Sequence, residues 1–305
     1  MDRNIGRRGR RLLGVLALVP ALLLPLAAAC DSAAPGDAEI PPTPTAAPAT
    51  YQGTIICAGS SALAPLVRHA AAEFSQLAPE AFVLVITSTS QLGLATLQDD
   101  GADIAMSDVR APDLLGADAS TLWEYPVAAV PYAVVVNPDT HVTNLTRAQL
   151  RRIYNGEVHN WQEVGGANLP IAAFHASKGS GLRYLFRKTI LAAGSENDTD
   201  LPINASSTNL VGDVSARPGA IGYAALADVV PEVQVVTIDG VAPSNQTIAD
   251  GTYGFWSYAW LYTKGRAGGL ASAFINFVQS PNVQKDVIAP LGFTPMAWMK
   301  DRLAP

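Results

Sequence analysis

Cysteine is nearly absent from this chain, with two residues, Cys30 and Cys57, among 305, so no disulfide framework can hold the fold together. Histidine is almost as scarce. His69, His141, His159 and His175 show no His-x-x-x-His spacing, which leaves no sequence sign of a metal site. No serine picked out below stands in a Gly-x-Ser-x-Gly frame, so the chain lacks the nucleophile elbow of a serine hydrolase, and neither an enzyme nor a cofactor is expected. Positive charge is also short: net charge is −6, and loss of residues 1–29, with five arginines and one aspartate, takes it to −10. Such an acidic body is a poor partner for nucleic acid. It can still bind an anion, because a desolvated pocket holds one through neutral donors and dipoles.

What the chain has in quantity is apolar residues, 49% of the total, enough to fill the cores of two α/β units. The first apolar run, Leu12 to Leu26, follows a basic stretch carrying Arg3, Arg7, Arg8, Arg10 and Arg11 and is too short to span a bilayer comfortably. It ends in Leu26-Ala-Ala-Ala-Cys30, which resembles a bacterial lipoprotein processing site, with Ala27 where Leu is usual. A lipid on Cys30 would tether the protein to the membrane; the alternative is plain signal-peptidase cleavage that leaves Cys30 as a stray thiol. Residues 30–50, rich in Pro, Ala and Thr, read as a tether that cannot bury a core.

The body repeats one local design. Gly53 to Cys57 reads as a strand that runs into Ala58-Gly-Ser-Ser-Ala62 and then a helix with Leu63, Leu66, Val67, Ala70, Ala71 and Phe74 on one face. Ala81 to Ile86 is a second strand, followed by Thr87-Ser-Thr-Ser-Gln-Leu-Gly93 and a short helix. Ile104 to Met106 is a third, and it presents Ser107-Asp108. Ile171 to Phe174 is another short strand. It leads through His175-Ala-Ser-Lys-Gly-Ser-Gly181 into a helix whose Leu182, Leu185, Phe186, Thr189 and Ile190 face inward, with Arg183, Arg187 and Lys188 outward and Ser180 at the N-cap. Ligands of open α/β sheets sit beyond the carboxyl ends of strands, so these ends predict one shared pocket suited to an anion. Thr146 to Gln149 forms a capping box, and that helix is expected to stop near Asn155-Gly156.

In addition, the chain carries Leu145-Thr-Arg-Ala-Gln-Leu150, Ile153-Tyr-Asn-Gly156, Asn160-Trp161, Glu163-Val-Gly-Gly166 and Pro170-Ile171, then Pro218-Gly-Ala-Ile-Gly-Tyr223 and the aromatic stretch Tyr253 to Tyr262. Together with the strand-end turns, these segments resemble the phosphate-binding lipoproteins of ABC importers, periplasmic binding protein-like proteins of the type 2 fold. The resemblance spans most of residues 53–295. It implies an α/β fold of two lobes around a ligand cleft: 51–131 plus 257–305 as a discontinuous first lobe, and 132–256 as the second.

It further implies a monomer that takes phosphate or a related oxyanion and passes it to the permease subunits of an ABC transporter. By position, Ser61, the N–H of Ala62 and Ser90 would donate from the first lobe, with Ser60 beside them, and Ser180 and the N–H of Gly181 from the second. Asp108 would accept the proton of hydrogen phosphate, which sulfate lacks at neutral pH. The chain departs from the family pattern at Ala176 and Leu182, where Arg and Thr are common. His175 and Lys178 are the residues that could make up for the lost guanidinium. The alternative is a sensory or scaffold lipoprotein that keeps the fold without phosphate binding.

Overall fold

The computed structural model describes residues 51–192, 203–204 and 207–299; Cys30, the leader and the tether lie outside them. Strand β1 (Gly53–Ser60) is followed by a 3-10 turn and by helix α1 (Ala64–Leu77), whose Leu66, Val67, Ala70 and Phe74 are buried. Strand β2 (Ala81–Ser88), helix α2 (Ser90–Gln98) and strand β3 (Ile104–Ser107) come next. These are the three expected strand ends. Strands β2 and β3 both lie parallel to β1, on either side of it, so all three deliver their carboxyl ends to the same edge.

Helix α3 (Ala111–Leu115) leads to β4 (Leu122–Val136), a strand of 15 residues that ties the sheet together. After β4 come β5 (Asn144–Leu145), α4 (Arg147–Tyr154), β6 (Ala172–Ala173), β7 (His175–Ala176) and α5 (Gly181–Phe186). The chain continues with β8 (Ile203–Asn204), α6 (Ser207–Ala216), β9 (Ala220–Ala225), β10 (Gln234–Ile238), α7 (Asn245–Ala249), β11 (Trp256–Lys264) and α8 (Gly269–Val278).

Among the described residues, nine strands form one mixed sheet along the path β2-β1-β3-β11-β4-β10-β5, with β9 joined to β4 and β6 to β9; β7 and β8 pair separately. From Leu122 to Pro131, β4 runs antiparallel to β11, with a bulge beside Ala259 and Trp260. From Tyr132 onward its partners are β9 and β10. Strand β4 is buried almost throughout from Val127 to Val136, as a strand covered on both faces must be. The change of partner comes between Pro131, opposite Trp256, and Tyr132, opposite Ala225.

The capping box of α4 forms as the sequence predicts: the Thr146 hydroxyl accepts the N–H of Gln149, whose side chain accepts the N–H of Thr146. The helix ends at Asn155, and Gly156 follows with positive φ. Two of the distinctive segments meet each other. The indole of Trp161 is fully buried and donates to the carbonyl of Gly219 at 2.8 Å.

Candidate functional site

Strand β1 brings Ser60 to the sheet edge through Gly59, whose φ of +136° and whose closeness to the Met106 carbonyl leave no room for a side chain. Neither Ser60 nor Ser180 spends its hydroxyl on capping the helix it precedes. In the second turn the cap is Thr89, which accepts the N–H of Leu92 at 3.1 Å and leaves Ser90 as the first residue of α2. Ser107, at the end of β3, turns back on its own chain by donating to Val109, so Asp108 alone reaches out of that strand.

These turns converge on one small cavity, lined by Ser60, Ser61, Ala62, Ser88, Thr89, Ser90 and Asp108 from one side and Ala176, Ser180, Gly181 and Leu182 from the other. The two sides touch. The N–H of Gln91 donates to the carbonyl of Gly179 at 3.3 Å, and the Cα of Gly181 packs against the Asp108 carboxylate and the Ser90 hydroxyl so closely that a Cβ would overlap them.

Asp108 is 1% exposed, and both of its oxygens are engaged. Ser90 donates its hydroxyl to Oδ1, and Tyr132 donates its phenol to Oδ2 at 2.6 Å. The Ser90 oxygen in turn accepts the Asp108 N–H at 3.3 Å. Burial, and then the neighbouring carboxylate, push the Tyr132 phenol well above the usual tyrosine range, so it stays protonated as a donor. A carboxylate offers about four lone-pair directions over its two oxygens, and Ser90 and Tyr132 take one on each, which leaves Asp108 able to accept a further donor from the cavity.

Seven of the anticipated site residues, Ser60, Ser61, Ala62, Ser90, Asp108, Ser180 and Gly181, therefore line a single cavity. One of them is arranged differently from expectation, since Ser90 gives its only hydroxyl proton to Asp108. His175 stands behind the wall: it is 1% exposed, with Nδ1 3.3 Å from the Tyr223 hydroxyl and its ring against Tyr154. Lys178 is exposed and lines the neighbouring cleft with Gln91, Ser180 and Tyr184.

Arg183 is the clear correction. Expected to face outward, it is 4% exposed and donates Nη1 to the carbonyl of Ala176 at 3.1 Å. The physical reason is that α5 is covered on more than one side, by β7 and β9, so its buried face is wider than an amphipathic stripe. Sequence reasoning also passed over Tyr132, which no local motif marks, and Ser88 and Thr89, which lay in the hydroxyl-rich turn. Among the described residues there is no group of three or more His, Cys, Asp or Glu side chains that could hold a metal.

The chain matches the model of the PBP superfamily domain over residues 44–282. The phosphate-binding protein PstS of Bacillus subtilis (strain 168) is 35% identical over 289 residues, covering 94% of this chain and 95% of its own length. An ABC-type phosphate transport receptor from Vibrio cholerae superposes with a TM-score of 0.64 at 27% identity, over 79% of this chain and 99% of that one. A putative phosphate ABC transporter substrate-binding protein from Clostridium perfringens, solved with bound phosphate, shares the fold with a TM-score of 0.74 at 23% identity, over 80% of this chain and 100% of its own. The chain belongs to the periplasmic binding protein superfamily and, within it, to the family of phosphate-binding proteins that includes PstS of Bacillus subtilis.

Proposed function

We propose that this chain is an extracytoplasmic binding protein, not an enzyme, that captures phosphate and delivers it to the permease of an ABC transporter while anchored to the membrane by a lipid on Cys30. The observation that carries the choice of ligand is the buried carboxylate of Asp108 in the wall of a cavity otherwise rich in hydroxyls and backbone donors. Ser61, Ser180 and the N–H groups of Ala62 and Gly181 donate to the oxyanion. Asp108 accepts its proton. A carboxylate beside an anion repels it unless the anion brings a hydrogen, so hydrogen phosphate is accepted and sulfate is left facing an unpaired acceptor.

The change of β4 partner after Pro131, opposite the start of β11, supports a division into 51–131 plus 257–305 and 132–256, with β4 and β11 as the two crossings. The missing guanidinium at Ala176 does not count against an anion, because hydrogen-bonded neutral donors in a closed site are enough to hold one.

Isothermal titration of the mature protein tests the reading. Phosphate should bind at micromolar concentration or tighter, with sulfate weaker by about 10⁴-fold, the discrimination expected of a site built around a polar partner. Equal binding of the two, or no heat with either, would overturn it. In the full-length protein, Cys30→Ser should move the chain from the membrane to the soluble fraction with phosphate affinity unchanged.

A further inference from the structure

Asp108 can discriminate only if its carboxylate is held in one orientation with one oxygen direction left open to the cavity. Nothing at 176 or 182 can hold it, since those positions are Ala and Leu. The phenol of Tyr132 can. It reaches Oδ2 at 2.6 Å, opposite the Ser90 hydroxyl on Oδ1, and its residue is fully buried. Tyr132 is also the residue at which β4 leaves β11 for β9, and its main chain is gripped on both sides: its carbonyl accepts the Tyr253 hydroxyl at 2.8 Å, and its N–H donates to Phe255 at 3.1 Å. Its ring packs on Phe255 at 5.2 Å between centroids.

We propose that Tyr132 is a specificity-determining positioning residue: without touching the ligand, it orients the Asp108 carboxylate so that the site demands a protonated oxyanion. The proposal rests on the phosphate reading above. A buried carboxylate needs donors, and a neutral phenol on the crossing strand supplies one without a formal charge of its own. Loss of that donor leaves a carboxylate tied only by Ser90 and free to turn, so its acceptor direction into the cavity is no longer fixed. A site that no longer aims an acceptor at the ligand's proton loses discrimination along with phosphate affinity.

The experiment is a double-mutant cycle read by titration with phosphate and with sulfate, using wild type, Tyr132→Phe, Asp108→Asn and the double variant. Tyr132→Phe keeps the ring and removes only the hydroxyl. It should weaken phosphate about 10- to 100-fold, the range for a hydrogen bond to a charged group, and lower the phosphate-to-sulfate ratio. In the Asp108→Asn background the same change should have almost no further effect on that ratio, because a residue that acts through Asp108 has nothing left to act on. A ratio unchanged in Tyr132→Phe, or an effect equally large in both backgrounds, would overturn the proposal. If the wild type fails to bind phosphate, the functional reading fails and this inference with it. Should Tyr132→Phe not fold, proton NMR of the wild type decides: a slowly exchanging downfield phenol resonance that is lost in Asp108→Asn supports the contact, and its absence from the wild type refutes it.

Discussion

Gly181 matters for the atom it lacks. Its backbone is not in the left-handed region, so the requirement for glycine is steric: a Cβ would fall on the Asp108 carboxylate and within 2.8 Å of the Ser90 hydroxyl. Gly181→Ala should therefore keep the two sides of the cavity apart. The cost of such overpacking, about 1–3 kcal/mol, predicts a 10- to 100-fold loss of phosphate affinity by titration. Sequence reading reached Gly181 and Ser180 because a glycine-flanked serine at a helix start is a local signal. It missed Arg183 and Tyr132 because burial of a charge and the aim of a phenol depend on what lies across the fold, and a helical period says nothing of that.

Elements whose causes are local were the easiest to read. The capping box of α4 needs only Thr146 and Gln149, three residues apart, and the helix formed as expected. Thr146→Ala removes the acceptor for the Gln149 N–H and should cost about 1 kcal/mol. For a body of this size that lowers the melting temperature by roughly 2–4 °C, checked by thermal denaturation, while phosphate affinity stays constant because α4 contributes nothing to the cavity. Strand β4 shows the opposite case. Its first part pairs with β11, more than 120 residues along the chain, and no local pattern announces a partner that distant. The segments that made the family resemblance distinctive serve the fold more than the ligand: the Trp161 indole holds the carbonyl of Gly219, and Gly219 itself has positive φ and sits against the Pro170 carbonyl. Their likeness marks a shared scaffold, and the chemistry is carried by the shorter turns.

At the scale of the molecule, the cavity exists only because distant parts of the chain meet there. Residues 60–62, 88–90 and 108 face residues 176 and 180–182 across it. Direct ties include the backbone bond from Gln91 to Gly179, the packing of Gly181 on Asp108 and a side-chain hydrogen bond between Tyr184 and Asp113. An anion that accepts hydrogen bonds from both sides would add ties that the protein lacks alone, so binding should stabilise the whole body and not just one turn. Linkage sets the size: ligand at 100 times its dissociation constant contributes about 2.7 kcal/mol. At roughly 2–4 °C per kcal/mol, phosphate should raise the melting temperature by about 5–11 °C, and sulfate at the same concentration should not. Gly181→Ala should shrink the phosphate shift at that concentration, because its site cannot close and its dissociation constant is higher. A full shift in Gly181→Ala, measured by calorimetry at matched phosphate, would mean that the anion is held from one side only and that closure is not part of capture.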